Sequence, residues 1–253
     1  MFSLKGKKAL VTGASRGIGR GIALALAEQG ADVAVNYRSS GDKAKLVVEE
    51  IKQMGRKACL VQADVSQKKE VVAMVGKTIV ELGGIDILVN NAGVITFSSF
   101  ENLTEEEWDK IMAVNLKGQF LCAQAVALIM KENGWGRIIN IASIASGGVG
   151  VGFFNLAHYC ASKGGVVALT EELALELGPV INVNAIAPGV IDTDMINNLK
   201  KDEKTIQGTM ARVAKKRLGQ PKDIGAAAAF LASEEADYIT GTVTYVDGGW
   251  LAS

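Results

Sequence analysis

Seven short runs of apolar residues alternate with longer periodic segments along the chain. Each run is continuously apolar, as a strand covered on both faces requires, instead of alternating between apolar and polar positions. The runs lie at residues 9–11, 33–35, 58–61, 85–89, 138–141, 180–186 and 242–246. This pattern predicts a doubly wound α/β fold, a seven-stranded parallel sheet with helices on both faces.

The segments between the runs carry the signals that begin and end helices. Thr104 and Glu107 have the spacing of a capping box, and Gly30, Gly55 and the pair 83–84 stand where helices are expected to end. The alternation of strand and helix never pauses, and no linker or repeat interrupts it. Residues 1–253 are therefore expected to form a single domain.

Composition and charge exclude several classes of protein. Hydrophobic residues make up 49% of the chain, enough to bury a large core and to exclude disorder for most of it. The 27 basic and 27 acidic residues balance, so no surplus of positive charge favours nucleic acid or a membrane surface. Residues 138–162 carry no charge, but their polar side chains favour a buried strand and a loop over a membrane span.

The chain offers few metal-ligating or redox-active side chains. Its three cysteines lie far apart and it has one histidine, so neither a disulfide framework nor a metal site is expected. The N-terminal residues lack the cleavage site of a signal peptide. We therefore expect a cytoplasmic protein.

A glycine-rich turn follows the first predicted strand and precedes a helix. Residues 12–19 have the sequence T-G-A-S-R-G-I-G, in which the glycines let backbone N–H groups approach a pyrophosphate at the positive end of the helix. The spacing G-x-x-x-G-x-G differs from the common G-x-G-x-x-G fingerprint, and a purely structural turn is the alternative. Its place between strand and helix predicts a dinucleotide cofactor in a Rossmann-type domain.

The end of the second predicted strand bears on the choice of cofactor. Sites that prefer NAD place a carboxylate there, against the ribose 2′-hydroxyl, whereas this chain has Arg38. Guanidinium groups match phosphate oxygens in charge and geometry, so Arg38 and Arg16 are candidates to bind a 2′-phosphate. We predict a preference for NADP(H), with use of both cofactors, or of NAD(H), as the alternatives.

Tyr159 and Lys163 are four residues apart in a predicted helix at 158–177, so they share one face. An ordinary tyrosine has a pKa near 10, and acid or base work near neutral pH needs its phenolate to be stabilised. A lysine cation and a positively charged nicotinamide supply such a field. Alone, a Y-x-x-x-K pair is common, and a solvated helix face is the favoured interpretation.

At this point the sequence resembles the short-chain dehydrogenase/reductase family over essentially its whole length. The matching motifs are residues 12–19, Asp64-Val65, N-N-A-G at 90–93, Asn115, Ser143, Y-C-A-S-K at 159–163, Pro188-Gly189 with Thr193, and the C-terminal stretches 238–241 and 247–249. The resemblance implies that Tyr159 is the catalytic acid/base and that Lys163 lowers its pKa and holds the nicotinamide ribose. It further implies that Ser143 hydrogen-bonds the substrate oxygen and that Asn115 orders a proton-relay water.

The resemblance also implies a set of cofactor-binding residues distributed along the chain. These are Gly13, Ser15, Arg16, Gly17, Ile18, Gly19, Arg38, Asp64, Val65, Asn91, Ala92, Gly93, Tyr159, Lys163, Pro188, Gly189, Ile191 and Thr193. His158 and Cys160 flank Tyr159 but point about 100° away around a helix, so packing or solvent contact is expected for both.

Two segments are expected to border the substrate. The stretch between Ser143 and Tyr159 is longer than is common in the family, and its extra residues lie in the glycine- and phenylalanine-containing loop 147–154. Residues 194–218 are expected to form a mobile lid with seven basic and three acidic residues, which suits an anionic phosphopantetheine thioester. A solvated surface is the alternative for these charges, and the acidic Glu171, Glu172 and Glu176 argue against a carrier.

Three functions remain open from the sequence. The first is an NADP(H)-dependent reductase that interconverts a ketone and a secondary alcohol, with 3-oxoacyl thioesters as the specific expectation. The second is a dehydrogenase of glucose, another sugar or a polyol, and the third is a cofactor-binding scaffold without catalysis. Relatives are usually dimers or tetramers, and we expect a homotetramer.

Overall fold

The computed structural model describes residues 2–147, 154–197 and 202–252. In this part of the chain, seven parallel strands form one sheet in the order β3-β2-β1-β4-β5-β6-β7. The strands are β1 (Lys8–Val11), β2 (Asp32–Tyr37), β3 (Ala58–Gln62), β4 (Ile87–Asn90), β5 (Gly136–Ile141), β6 (Ile181–Pro188) and β7 (Val243–Val246). The predicted seven-stranded parallel sheet is confirmed, and each predicted run overlaps one strand.

Helices connect successive strands and cover both faces of the sheet. They are α1 (Gly17–Glu28), α2 (Gly41–Gln53), α3 (Lys68–Leu82), α4 (Glu105–Met112), α5 (Gly118–Glu132), α6 (Ala157–Leu177), α7 (Glu203–Arg212) and α8 (Pro221–Leu231). Thr104 and Glu107 form the predicted capping box at the start of α4. Gly83 ends α3 in the left-handed conformation, with φ of 85°. Glycine suits this position because a residue with a side chain would be strained there.

The continuous hydrophobicity of the strands has a direct structural cause. In β1, Ala9 and Val11 belong to the apolar core on the α1, α2 and α8 face, whereas Leu10 belongs to the core on the α3 and α5 face. All three side chains are fully buried. A strand covered on both sides has no row of side chains that faces water, which is why the runs do not alternate.

The site is positioned by the reversal of strand order beside β1. β1 pairs with β2 on one side and with β4 on the other. The connection that leaves the carboxyl end of β1 and the connection that leaves the carboxyl end of β4 therefore run in opposite directions along the sheet. A crevice opens where the two connections separate, and ligands bind there in open α/β sheets.

A five-residue π-helical segment, Ala113–Lys117, joins α4 to α5. Within the described residues, the resulting helix Glu105–Glu132 is long and apolar enough to cross a membrane by length and composition alone. Half of its most apolar window is buried inside the protein, as in a core helix, so this is weak evidence for a span.

The predicted substrate-side segments are described in part. The lid expected at 194–218 contains a 3₁₀ turn, Asp194–Ile196, and helix α7. Its residues 198–201, and residues 148–153 of the glycine-rich loop, lie outside the described residues, so the expectations for those stretches remain predictions.

Two glycines set the close approach of α1 and α8. A Cβ added to Gly225 would lie 2.7 Å from the carbonyl oxygen of Gly21, and one added to Gly21 would lie 2.6 Å from Pro221 Cβ. We predict that Gly225→Ala lowers the free energy of unfolding by about 1–3 kcal/mol, because the two helices must separate to admit the methyl group. Urea unfolding followed by circular dichroism measures this loss.

Gly76 in α3 supplies the matched control. It is exposed, and an added Cβ meets no atom within 4 Å. Gly76→Ala is therefore expected to stabilise the protein by about 0.5–1 kcal/mol, through helix propensity alone. Equal effects of the two substitutions would contradict the proposed helix contact.

Candidate active site

A cavity of about 520 Å³ lies at the carboxyl ends of the central strands. It brings together nearly all of the predicted site residues, which come from turns spread over most of the chain. The predicted residues that line it are Gly13, Ser15, Arg16, Gly17, Ile18, Gly19, Arg38, Asp64, Val65, Asn91, Ala92, Gly93, Ser143, Tyr159, Lys163, Pro188, Gly189, Ile191 and Thr193. Asn115 alone among the predicted residues does not line it.

The glycine-rich turn is packed too closely for side chains. Gly13 and Gly17 have positive φ values of 62° and 55°. A Cβ added to Gly13 would lie 2.9 Å from Ala92 Cα, and one added to Gly19 would collide with the amide of Asn91. Glycine at these positions therefore keeps the floor of the cavity as bare backbone.

The start of α1 is open to a ligand. Arg16 occupies the N-cap position and makes no side-chain hydrogen bond to the first-turn N–H groups. These N–H groups and the positive end of the helix suit a diphosphate. The bare glycine turn and the uncapped helix together fit the dinucleotide cofactor that the sequence predicts.

Two residues outside the predicted set brace this turn. Asn36, at the end of β2, accepts a hydrogen bond from the Gly13 N–H at 3.0 Å and donates to the carbonyl oxygens of Val61 and Ala63. Thr12 Oγ1 accepts from the N–H groups of Asn91 and Ala92 at 2.9 and 3.0 Å. The sequence signal that could have identified Asn36 and Thr12 is a polar residue at the carboxyl end of a buried strand.

Charged side chains gather at the adenosine end of the cavity. Arg38 Nη1 lies 3.6 Å from Asp64 Oδ2, and Arg16 Nη1 lies 3.4 Å from Ser40 Oγ. The carboxylate of Asp194 contacts both Arg16 and Lys43, at 3.8 and 3.6 Å. Lys43 and Asp194 were not among the predicted residues, because nothing in their local sequence links them to the turn.

The catalytic candidates meet at the other end of the cavity. Tyr159 and Lys163 lie one turn apart on α6, with the lysine Nζ 5.8 Å from the centre of the tyrosine ring. Lys163 is 3% exposed, and its ammonium donates to the carbonyl oxygen of Ile141 at 2.6 Å. Ser143 lies two residues beyond that carbonyl, just after β5, and lines the same cavity as Tyr159.

Burial governs the ionisation of this pair. It raises the pKa of Tyr159, and the hydrogen bond with Ser143 offsets only part of that shift. Burial also lowers the pKa of Lys163 to about 8. The resemblance implied a lowered pKa for Tyr159, whereas the site without cofactor favours the neutral phenol, because exclusion of water penalises the phenolate.

Asn115 lies in the π-helical segment behind the cavity wall and is fully buried. Its Oδ1 accepts from the Val94 N–H at 2.8 Å, and its Nδ2 donates to the Val94 carbonyl at 2.9 Å and to Ser162 Oγ at 3.2 Å. Its amide therefore braces the loop after β4. The predicted role of Asn115 in ordering a relay water stays a prediction.

His158 is packed, as expected from its direction on the helix, and it also makes a polar contact. Its Nε2 lies 2.7 Å from Thr96 Oγ1, in the loop after β4, and its ring is fully buried. Cys160 on its other side is half-buried.

Comparisons with known proteins agree with this architecture. The model of the family described as enoyl-(acyl carrier protein) reductase matches residues 13–251. A curated relative is the 3-oxoacyl-[acyl-carrier-protein] reductase FabG of Staphylococcus epidermidis, 46% identical over 96% of this chain and 98% of its own. A solved gluconate 5-dehydrogenase from Burkholderia cenocepacia J2315, in complex with NADP and tartrate, superposes with a TM-score of 0.93 at 36% identity, covering 100% and 98% of the two chains.

A second solved structure is a short-chain type dehydrogenase/reductase from Mycobacterium marinum. It is 39% identical, with a TM-score of 0.92 over 98% of this chain and 97% of its own. Together with the cavity and its residues, these matches show that the chain belongs to the short-chain dehydrogenase/reductase family of oxidoreductases.

Proposed function

We propose that this protein is an NADP(H)-preferring oxidoreductase that interconverts a ketone and a secondary alcohol. The observation that carries the proposal is one cavity with an open helix N-terminus and bare glycine turn at one end and Ser143, Tyr159 and Lys163 at the other. A scaffold that only binds a cofactor would not need Ser143, Tyr159 and Lys163 at the other end of the cavity. The non-catalytic alternative is therefore disfavoured.

The chain's own residues supply proton transfer and orientation. When bound, the nicotinamide supplies or accepts the hydride. Tyr159 carries its proton at neutral pH, as an ordinary tyrosine does, and burial raises its pKa further, so in reduction it donates a proton to the carbonyl oxygen. The hydroxyl of Ser143 hydrogen-bonds that oxygen, and the buried ammonium of Lys163 stabilises the phenolate left behind.

Arg38 and Arg16 are the proposed ligands of the cofactor's 2′-phosphate. Both line the cavity beside Ser40, and within the described residues each has one carboxylate, at 3.6–3.8 Å, as its ion-pair partner. Such long, exposed pairs are weak, so a phosphate readily replaces them. The NADP in the gluconate 5-dehydrogenase structure supports the same preference.

A 3-oxoacyl thioester is the substrate class we favour. The relative from Staphylococcus epidermidis bears the name of a reductase of such compounds. The cavity is also lined by the apolar side chains of Val94, Ile95, Met195 and Ile196, which suit an acyl chain better than a sugar. A sugar-acid dehydrogenase remains the second candidate because of the gluconate 5-dehydrogenase likeness.

The basic residues of the segment 194–218 give less support to a carrier than their number suggests. Arg217 pairs with Asp223 at 2.7 Å, and the Lys216 ammonium donates to the Ala211 carbonyl. Arg212 stacks on the ring of Trp250 at 4.2 Å. These three side chains are engaged within the protein, so we propose the thioester group as substrate without requiring a carrier protein.

Assembly and location complete the proposal. We propose a cytoplasmic homotetramer, supported by the three unpaired cysteines and by an apolar groove between α5 and α6. Leu116, Phe120 and Leu169 line that groove. Sedimentation equilibrium tests the assembly, and a monomer at micromolar concentration would contradict it.

Tyr159→Phe is predicted to lower kcat for ketone reduction by about 10²–10⁴, because the proton donor is removed while the ring is kept. The dissociation constant for NADPH, measured by nucleotide fluorescence, is expected to stay within about twofold. A near-normal kcat in this variant would contradict the proposed role of Tyr159.

Arg38→Leu is predicted to lower kcat/KM for NADPH about tenfold or more and to leave kcat/KM for NADH unchanged or higher, because only NADPH loses a charged partner. Arg38→Lys is the matched control. Lysine keeps the positive charge but lacks the paired N–H donors of the guanidinium group, so we expect an intermediate loss of kcat/KM for NADPH. Equal losses with both cofactors would show that Arg38 does not bind the 2′-phosphate.

Initial rates distinguish the two substrate classes. We expect acetoacetyl-CoA with NADPH to be reduced with a kcat/KM at least about tenfold above that for gluconate oxidised with NADP⁺, because the cavity includes apolar side chains such as Val94 and Ile95. The reverse ranking would favour the sugar-acid alternative.

A further inference from the structure

The wall of the cavity on the substrate side is a loop without regular secondary structure. Residues 91–99 follow β4, and Val94 and Ile95 of this loop line the cavity next to the catalytic group. A loop of this kind holds its shape only where other elements bind it.

Alternate residues of this loop are tied to three different elements. Val94 is bound at both its N–H and its carbonyl by the side chain of Asn115. Thr96 shares a hydrogen bond with His158 at 2.7 Å, and the Ser98 N–H donates to the carbonyl of Asn155 at 3.0 Å. The loop is thus attached to the π-helical segment, to the catalytic helix and to the end of the glycine-rich loop.

The hydrogen bond of Thr96 differs from the other two because its partner, His158, is the residue next to Tyr159. His158 is fully buried, and its Nδ1 has no hydrogen-bond partner in the described part of the chain. Thr96 is therefore the polar contact that this imidazole makes there. We propose that His158 is a positioning residue, which fixes the loop 94–98 against the catalytic helix and so sets the distance between the substrate-side wall and Tyr159. The assignment of that wall to substrate rests on the proposed function.

Burial at this contact favours a neutral imidazole. Burial lowers the pKa of His158 below its usual value, and this outweighs the opposing attraction of the Glu107 carboxylate on α4. The loop itself carries no titratable residue between positions 91 and 99, and the neighbours of His158 on α6 are the uncharged Tyr159 and Cys160. Because the folded state binds the proton more weakly than the unfolded chain, stability contributed by His158 is lost as pH falls below about 6.5.

Thr96→Val and Thr96→Ser form the central test. Valine keeps the shape and removes the hydroxyl, whereas serine keeps the hydroxyl. We expect Thr96→Val to raise KM for the ketone about tenfold, with kcat within about threefold and the dissociation constant for NADPH unchanged, because the wall is displaced and the proton donor is intact. Thr96→Ser is expected to behave like the wild type.

His158→Gln and His158→Asn test the other partner. A glutamine amide reaches the position of Nε2, whereas the shorter asparagine does not. Gln is therefore expected to keep the wild-type KM and Asn to resemble Thr96→Val. Equal KM values in wild type, Thr96→Val and His158→Asn would overturn the proposal, as would an equal loss in both members of either pair.

A measurement independent of turnover separates this proposal from the proposed function. The chain has one histidine, so the imidazole carbon-bound proton gives one assignable NMR signal. In the wild type its titration midpoint is expected below 6.5, and in Thr96→Val it moves toward 6.5 as the loop opens and water enters. Hydrogen exchange at residues 95–97 is expected to accelerate in Thr96→Val and to stay at the wild-type rate in Thr96→Ser.

If Thr96→Val left the titration midpoint of His158 and the hydrogen exchange of residues 95–97 unchanged, the proposed role of His158 would be overturned even in an active enzyme. Loss of the proposed function would instead appear as absence of ketone turnover in the wild type, with the NMR and exchange differences still present.

Discussion

The site depends on a single buried ammonium. Lys163 is almost wholly excluded from water, and the carbonyl oxygen of Ile141 at 2.6 Å is the acceptor that holds it. That carbonyl is the last of β5, so the position of the charge is fixed by the sheet and not by a surface loop. A charge kept there without full hydration interacts strongly with whatever lies beside it, and Tyr159 lies one helical turn away.

The opposing pKa shifts in this pair follow from the same burial. Water exclusion favours a neutral phenol at Tyr159 and weakens the hold of Lys163 on its proton, so burial disfavours the charged form of both residues. A neutral Tyr159 suits the proton donor that we propose for reduction. The phenolate becomes accessible only when further positive charge enters the cavity, as the oxidised nicotinamide would bring.

Much of this arrangement was predictable from the sequence because it follows from periodicity and from backbone requirements. Strands covered on both faces are continuously apolar, and glycines such as Gly13 stand where a Cβ would collide with Ala92. Tyr159 and Lys163 are four residues apart in a predicted helix, and this spacing predicted that they lie on the same face. These are local properties, each visible in a window of a few residues.

What the sequence did not predict are contacts between distant segments. Asn36 and Thr12 brace the turn from β2 and β1, and Asp194 reaches Arg16 across more than 170 positions. The resemblance gave Asn115 a relay water, a role that stays a prediction, and did not indicate its hydrogen bonds to Val94, 21 positions away. The partner of His158 is Thr96, 62 positions away, and no local pattern indicates such a pair.

The central claim is that the proton of Tyr159 is held by burial and released by positive charge. An ultraviolet titration of phenolate, wild type minus Tyr159→Phe, isolates this residue from the other three tyrosines. The account predicts a pKa above 10 in the free protein and a clear decrease when NADP⁺ is bound. A free-protein pKa below 10, or one that NADP⁺ leaves unchanged, would contradict it.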